Sequence, residues 1–212
     1  MSGMELTAEA DPARWITVPA GLVEPQRTAW LDAATATARV ASAHWDRPSD
    51  ELVPHMVAHA LELRGPGDGL VLQYWPPVVP GAVLVRVEVS EAPDRGAVAS
   101  ELRAEQLSHV EQFTGARLGP GYEWVHSAPL PGEAEDLLMG TQHLFLDEGL
   151  MVLATLDATI PELFAVVVDE VRAFVRTLRL GSGEDEWHSI PLPGEVGTRA
   201  DLETWPTFGP AA

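Results

Sequence analysis

The sequence predicts an α+β fold, a largely antiparallel β-sheet flanked by helices. Neighbouring strand-like segments are joined by turns that are too short for the crossover that parallel strands require. A strongly amphipathic segment at residues 160–180 follows the last strand pair, and such a helix covers a sheet with its apolar face. We divide the chain into an N-terminal segment at 1–12, a single α+β domain at 13–180, and an extended Pro- and Gly-rich tail at 181–212, which we expect to dock.

The first half of the chain contains short strands and two helical segments. Residues 14–18 predict a short strand, and residues 26–45 place Trp and Ala side chains on one side of a helix. Residues 50–64 fit a helix with a proline in its first turn, but they also fit one arm of a hairpin. Residues 73–75 and 82–89 are predicted to pair as strands across a Pro-rich turn.

The second half contains a third helix and a hairpin. A helix is predicted over residues 95–114, with Asp94 as its N-cap. The hairpin is formed by residues 135–146 and 150–156, and its three-residue turn is expected to need a positive φ at Gly149.

The closing helix over residues 160–180 is the best-defined element. Thr159 and Glu162 have the spacing of a capping box, and Gly181 is the expected end of the helix. Apolar side chains recur on one side at helical spacing: Leu163, Val167, Val171, Phe174 and Leu178. This stripe predicts a helix that packs on the core.

The missing residue types exclude several chemistries. The chain has no cysteine. It also has no lysine, because all 13 of its Lys and Arg residues are arginine. Thiolate catalysis, thiolate metal sites, disulfides and a Schiff-base or P-loop lysine are therefore excluded. The net charge of −19 disfavours nucleic acid and anionic membranes as partners, because both attract basic surfaces. The Arg and Ala bias is typical of a bacterium with a high-GC genome, or alternatively of a salt-loving source.

No targeting or membrane segment is predicted. The acidic N-terminus lacks the basic start and apolar run of a signal peptide. The longest apolar run, at residues 163–168, is too short to cross a bilayer. We therefore expect a cytoplasmic protein.

One eight-residue sequence occurs twice with a single difference. Residues 126–133 are HSAPLPGE and residues 188–195 are HSIPLPGE, so that the copies differ only at Ala128 against Ile190. We expect both copies to be edge strands that end in the same proline turn, packed side by side or exchanged between subunits. The alternatives are that the tail occupies a groove on a partner copy, or that two proline turns coincide by chance.

The tail carries more apolar side chains than a disordered segment usually has. They are Trp187, Ile190, Leu192, Trp205 and Phe208. We therefore expect the tail to dock on the domain, with Trp187 and Ile190 buried.

His55 and His59 are the candidate metal ligands. They are four residues apart and would face the same way on a helix, which is the spacing of two helical metal ligands. Met56 stands where a zinc-protease helix has its glutamate, and the sequence shows no third ligand. No nucleophile elbow and no phosphate-binding Gly-rich motif is present. We therefore predict no catalytic residue and no cofactor.

Five aromatic side chains are candidate partner-binding residues. Aromatics at the margin of a sheet are enriched at interfaces, although packing against a neighbouring helix is the alternative use. The candidates are Tyr74, Trp75, Trp124, Trp187 and Trp205.

The segment GLMVLATLDATIPELFAVVVDEVRAFVRTLRL, at residues 149–180, resembles the end of the PsbP-like α/β sandwich proteins. The order of elements over residues 82–180 is similar to that family as well. The resemblance implies an antiparallel sheet between helices and a mostly non-enzymatic, protein-binding role. Photosystem accessory subunits, nuclear-transport factors and chaperones for secreted effectors share this fold.

Two functions remain compatible with the sequence. The first is a cytoplasmic protein-binding or adaptor domain, chaperone-like and without catalytic activity, which could be a homodimer. The alternative is a small metal- or ligand-binding, hydrolase-like domain that uses His55 and His59. We favour the first, because no catalytic constellation occurs in the sequence.

Overall fold

The computed structural model of the protein describes residues 4–45, 51–65, 67–103, 110–130, 133–182, 185–194 and 196. Within them the fold is α+β, with four helices and a large antiparallel sheet. The helices are α1 (Gln26–Ala41), α2 (Leu52–Leu63), α3 (Arg95–Arg103) and α4 (Pro161–Arg176). The strands are β1 (Glu5–Thr7), β2 (Trp15–Thr17), β3 (Leu70–Tyr74), β4 (Val83–Glu91), β5 (Val110–Gly115), β6 (Gly119–Leu130), β7 (Glu133–Leu146), β8 (Leu150–Thr159), β9 (Arg179–Ser182) and β10 (Asp185–Glu186).

The large sheet has seven strands in the order β2-β3-β4-β8-β7-β6-β5. Every neighbouring pair is antiparallel, as the short predicted turns require. A second sheet of three short strands has the order β1-β9-β10 and joins the two ends of the described chain. None of the described helices is long and apolar enough to span a membrane.

Helix α4 covers one face of the large sheet and forms the main core. Its predicted apolar stripe is confirmed for Leu163, Val167, Val171 and Phe174, which are buried, and Leu178 is buried just beyond the end of the helix. They pack on the side chains that point to this face from β4 and β8, such as Val85 and Leu156. The ring of Phe174 stacks on Trp15 of β2 at a centroid distance of 4.7 Å. Burial of such side chains is the dominant favourable contribution to folding.

Among the described residues, helices cover the opposite face only at its two ends. Helices α1 and α2 pack on β2–β4, where Trp45 and Trp75 stack with centroids 5.6 Å apart. Helix α3 packs on the other end, over Tyr122 and Leu144. The sheet between these two clusters carries partly exposed polar side chains.

The prediction of a helix over residues 95–114 is wrong for residues 110–114. Asp94 does cap the helix, since its Oδ1 accepts the amide proton of Ala97 at 2.8 Å, and the described part of α3 extends to Arg103. Residues 110–115 are strand β5, the outer strand of the sheet, paired with β6. Pairing across the ladder outweighs the local helical pattern here.

The closing helix is shorter than predicted at its C-terminal end. It stops at Arg176 with Thr177 as its C-cap, and Gly181 lies in β9, where Leu180 pairs with Leu6. The capping box is also wrong, since Ile160 is the N-cap and no side chain caps the helix.

Two turn predictions are settled by the structure. Of the ambiguous residues 50–64, Leu52–Leu63 form helix α2 rather than a hairpin arm. The hairpin of β7 and β8 is confirmed, but Gly149 does not have a positive φ. The turn is held by Asp147 instead, whose Oδ1 accepts the amide protons of Gly149 and Leu150 at 2.7 Å each.

The two copies of the repeated sequence lie in different surroundings, so the expectation of two like edge strands is wrong. The first copy begins in the part of β6 that lies beyond β5 and pairs with β7. The second copy lies beyond β10, in residues that belong to no strand. Trp187 is buried as expected, but Ile190, which was expected to be buried as well, is 37% exposed; Leu192 is buried. Trp205 and Phe208 lie outside the described residues.

Candidate functional site

An open strip runs across the middle of the sheet face that α1, α2 and α3 leave uncovered. Strand register places Arg86 of β4 beside Thr155 of β8, Thr155 beside Gln142 of β7, and Gln142 beside Trp124 of β6. All four side chains are partly exposed. We call these residues, with Asp157 and His126 on the same face, the open strip.

Arg86 is held at one end of the strip by two carboxylates. Its Nε lies 2.9 and 3.0 Å from the Asp157 carboxylate oxygens, and Nη1 donates to Asp68 Oδ2 at 3.0 Å. Nη1 also donates to the carbonyl oxygen of Leu63 at 2.6 Å, which ties α2 to the sheet. The hydrogen bond to Asp157 is the largest of the causes that raise the pKa of Arg86, so this guanidinium keeps its charge.

Asp157 retains an exposed face although it binds Arg86. Its side chain is 32% exposed, whereas that of Asp68 is only 5% exposed. Glu88, two residues beyond Arg86 on the same face of β4, is exposed. Three carboxylates therefore accompany one guanidinium, and the accessible charge at this end of the strip is negative.

His126 lies directly over Gly140 of β7, towards the Asp157 end of the strip. A Cβ atom at position 140 would come within 2.6 Å of His126 Cε1 and Nε2, so only glycine leaves room for the ring there. Burial lowers the pKa of His126, and the negative charge of Asp157 partly offsets this. The ring Nδ1 is buried without a hydrogen-bond partner among the described residues.

A cavity of about 190 Å³ extends from Asp157 under helix α2. Met56, Leu84 and Ala60 supply apolar walls, and Gln73 closes one side by donating to the carbonyl oxygen of Met56 at 3.0 Å. This volume is below the range of about 300–1,000 Å³ that is usual for small-molecule sites. It is suited to one side chain rather than to a whole metabolite.

The two candidate metal ligands, His55 and His59, lie together on the exposed side of α2. Their rings stack with centroids 6.2 Å apart, and His59 Nδ1 is 3.4 Å from Glu62 Oε2. In the part of the chain that the structure describes, no group of three or more His, Cys, Asp or Glu side chains could hold a metal ion. The two histidines are therefore close together as predicted, but the described residues bring no third ligand to them.

Most of the predicted partner-binding aromatics are not on the surface. Tyr74 and Trp75 are 2% and 0% exposed, in the cores under α4 and under α1 and α2 respectively, and Trp187 is 8% exposed. A buried ring offers little area to a partner, and the structure places these three side chains in the core. Trp124 is partly exposed in the open strip, and Trp205 lies outside the described residues.

Arg86, Asp157 and His126 were not predicted from the sequence as site residues. The first two had a signal, because each is a charged residue inside an apolar strand sequence, VLVRVEV and ATLDATI. A charge in such a run is costly to bury unless it is paired. Their pairing could not be seen, because it depends on the register of β4 against β8.

A second polar cluster is buried on the other face, under α4. Arg172 Nε donates to the two carboxylate oxygens of Glu123 at 2.8 and 3.0 Å. Burial raises the pKa of Glu123, and the charge of Arg172 partly offsets this. Burial lowers the pKa of His143 to about 3, assisted by the positive charges of Arg172 and Arg176. His143 is 0% exposed, so this cluster belongs to the core and not to a surface site.

Neither a family model nor a curated protein matches the sequence. The geometry of the open strip is therefore the basis for assigning a function.

Proposed function

We propose that the protein is a protein-binding or adaptor domain without catalytic activity, and that it docks a basic segment of a partner on the open strip. The observation that carries the proposal is the exposed carboxylate of Asp157 beside the small cavity under α2. A partner arginine or lysine would pair with this carboxylate, and a neighbouring apolar side chain would enter the cavity. Complementary charge of this kind sets specificity and the rate of association.

The charge of the whole chain supports a basic partner. The net charge of −19 attracts cationic segments at long range and repels acidic ones. Trp124 adds an aromatic face at the other end of the strip, and aromatic rings attract guanidinium groups. The cytoplasmic location expected from the sequence is part of the same proposal.

The resemblance of residues 82–180 to PsbP-like sandwich proteins agrees with this proposal. We propose that the chain has the PsbP-like sandwich fold, because that fold also consists of an antiparallel sheet between helices. Most members of that family bind proteins and are not enzymes, which favours docking over catalysis, although a fold alone does not assign a function.

The test uses two fluorescein-labelled hexapeptides that alternate alanine with either arginine or glutamate. Fluorescence anisotropy is measured with the full chain at low and at high salt. We expect the arginine peptide to bind, more weakly at high salt, and the glutamate peptide not to bind.

Two charge-matched variants separate the open strip from general attraction. Thr155→Arg places a cation in the strip, whereas Ala36→Arg adds the same charge on the exposed side of α1. We expect Thr155→Arg to abolish binding and Ala36→Arg to preserve most of it. Equal loss in both folded variants would show that the strip is not the binding surface.

A further inference from the structure

The second copy of the repeated sequence is seated in a defined groove at the α3 end of the sheet. Ser189 donates its amide proton to the Leu118 carbonyl oxygen at 2.8 Å, and Ile190 donates to that of Leu146 at 2.9 Å. The amide of Leu192 donates to Tyr122 Oη at 3.0 Å, and its side chain is 4% exposed. We call this surface, formed by residues 118–122 and 146 with α3, the tail groove.

Two arginines of α3 close the tail groove from the other side. Arg95 donates to the carbonyl oxygen of Pro191, and Arg103 donates to that of Pro193. Prolines have no amide proton, so their carbonyl oxygens are the only backbone groups that the groove can hold. The groove therefore holds the carbonyl groups of the two prolines and buries the serine and the leucine of the sequence HSIPLPGE.

Within the eight residues of the repeat, the first copy carries both side chains that the groove buries; Val196, which follows the repeat, is buried in the same cluster. Ser189 and Leu192, each 4% exposed, correspond to Ser127 and Leu130, and the prolines are the same in both copies. The single difference falls at Ile190, which is 37% exposed. An exposed side chain contributes little to docking, so the substitution by Ala128 is one that the groove tolerates.

The first copy lies on a hairpin arm that extends past the rest of the sheet. Strand β5 pairs with β6 only as far as Trp124, and β8 pairs with β7 only from Met139 onward. Beyond these points the described residues of β6 and β7 pair with each other. A two-stranded ribbon is marginally stable by itself, and Leu137 on it is 50% exposed.

The arm cannot enter the tail groove of its own chain. Tyr122 of the groove and Ser127 of the arm lie on the same strand, β6, and five residues of strand span about 16 Å. The arm could reach its own groove only by dismantling that strand. A second copy of the chain has no such restriction.

We propose that the tail groove is a binding site for the sequence HSxPLPGE, and that the arm of a second copy of this chain is its alternative occupant. In the monomer the tail fills the groove and competes with self-association. Release of the tail lets two copies insert their arms reciprocally, which gives a symmetric dimer. The groove lies at the α3 end of the sheet, so this proposal does not rest on the function assigned to the open strip.

The first experiment releases the tail in the full chain. Leu192→Asp places a charge in an apolar pocket, and sedimentation equilibrium is compared with that of the wild type at several concentrations. We expect the wild type to be monomeric and Leu192→Asp to dimerise with at least tenfold higher affinity. Adding Leu130→Asp to the same chain should return it to the monomer, because the arm then carries the same charge.

The second experiment uses a labelled synthetic peptide of residues 123–133 and a control peptide with Leu130→Asp. The first peptide should bind the Leu192→Asp chain and should bind the wild type at least tenfold more weakly. Circular dichroism checks the fold, and Leu192→Ala replaces Leu192→Asp if the latter is unfolded. A folded, tail-released chain that stays monomeric and does not bind the arm peptide would overturn the proposal.

Discussion

His143 Nε2 lies 3.7 Å from Glu123 Oε2, with both side chains closed off from solvent under α4. The histidine also meets the edge of the Phe113 ring, at a centroid distance of 4.6 Å. Its ring nitrogens make no hydrogen bond of standard geometry with the described residues, and a backbone contact with Ala154 only partly offsets the lowering of its pKa. The ring is therefore neutral near pH 7.

The first prediction is that His143 makes the protein sensitive to acid. The folded pKa is about 3, whereas an unfolded histidine has a pKa of about 6.5. Between these values the unfolded chain binds the extra proton, so stability is lost as the pH falls. We expect the part due to His143 to be about 2 kcal/mol between pH 7 and pH 5.

Urea unfolding of the wild type and of His143→Leu at both pH values measures this contribution. Between pH 7 and pH 5, the variant should lose about 2 kcal/mol less unfolding free energy than the wild type. The lowered pKa of His126 also reduces stability as the pH falls, and it does so in both proteins. The raised pKa of Glu123 has the opposite effect, because it increases stability as the pH falls. Parallel losses in the two proteins would refute the prediction.

Removal of the Phe174 ring should weaken the main core. The ring is 3% exposed and stacked on Trp15, so we expect Phe174→Ala to cost about 3–5 kcal/mol of unfolding free energy. Glu170→Ala on the exposed side of the same helix is the control, with an expected change within about 0.5 kcal/mol. Chemical denaturation measures both, and a loss below about 1 kcal/mol for Phe174→Ala would contradict the packing described.

Arg86→Met should leave two carboxylates without their cation. Since Asp68 is almost fully buried, we expect a loss of about 3–5 kcal/mol. Part of the loss should return when Asp68→Asn is added. The exposed pair of Arg179 with Glu9, 3.4 Å apart, provides the comparison, because Arg179→Met should cost less than about 1 kcal/mol. Thermal or urea unfolding measures these losses of stability. Similar losses for the two arginine variants would contradict the prediction.

Gly140→Ala should disturb the place of His126. The added Cβ would lie 2.5 Å from the Leu156 carbonyl oxygen and 2.6 Å from the imidazole, and such overpacking costs about 1–3 kcal/mol. Gly149→Ala is the matched control, since its Cβ would meet no atom closer than 3.8 Å. Histidine ring resonances in NMR spectra should shift for His126 in the first variant alone. Unchanged stability and spectra in Gly140→Ala would contradict the close contact.

The parts of the fold that depend on local pattern could be predicted from the sequence. The stripe of α4 and the hairpin of β7 and β8 have short-range periodicity, and the antiparallel sheet followed from turn lengths. Strands β5 and β9 could not be predicted, because their conformation is decided by a partner strand. For β9 that partner is β1, more than 170 residues earlier in the chain.

The candidate site was less predictable than the fold. The spacing of His55 and His59 correctly predicted neighbouring rings, but a spacing on one helix does not predict a third ligand from another element. Tyr74 and Trp75 have the sequence features of interface aromatics, and only the positions of the helices show that they are covered. The pairing of Arg86 with Asp157 depends on strand register, which is a property of the whole sheet.

The pairing of Leu6 with Leu180 also sets the order of events during synthesis. Strand β1 leaves the ribosome before its partner strand, which is translated more than 170 residues later. At about 5–20 residues per second, β1 waits on the order of tens of seconds with its backbone unpaired. All strands of the seven-stranded sheet are translated before β9, because β8 precedes β9 in the chain. The small sheet can therefore close only after every strand of the large sheet has been synthesised.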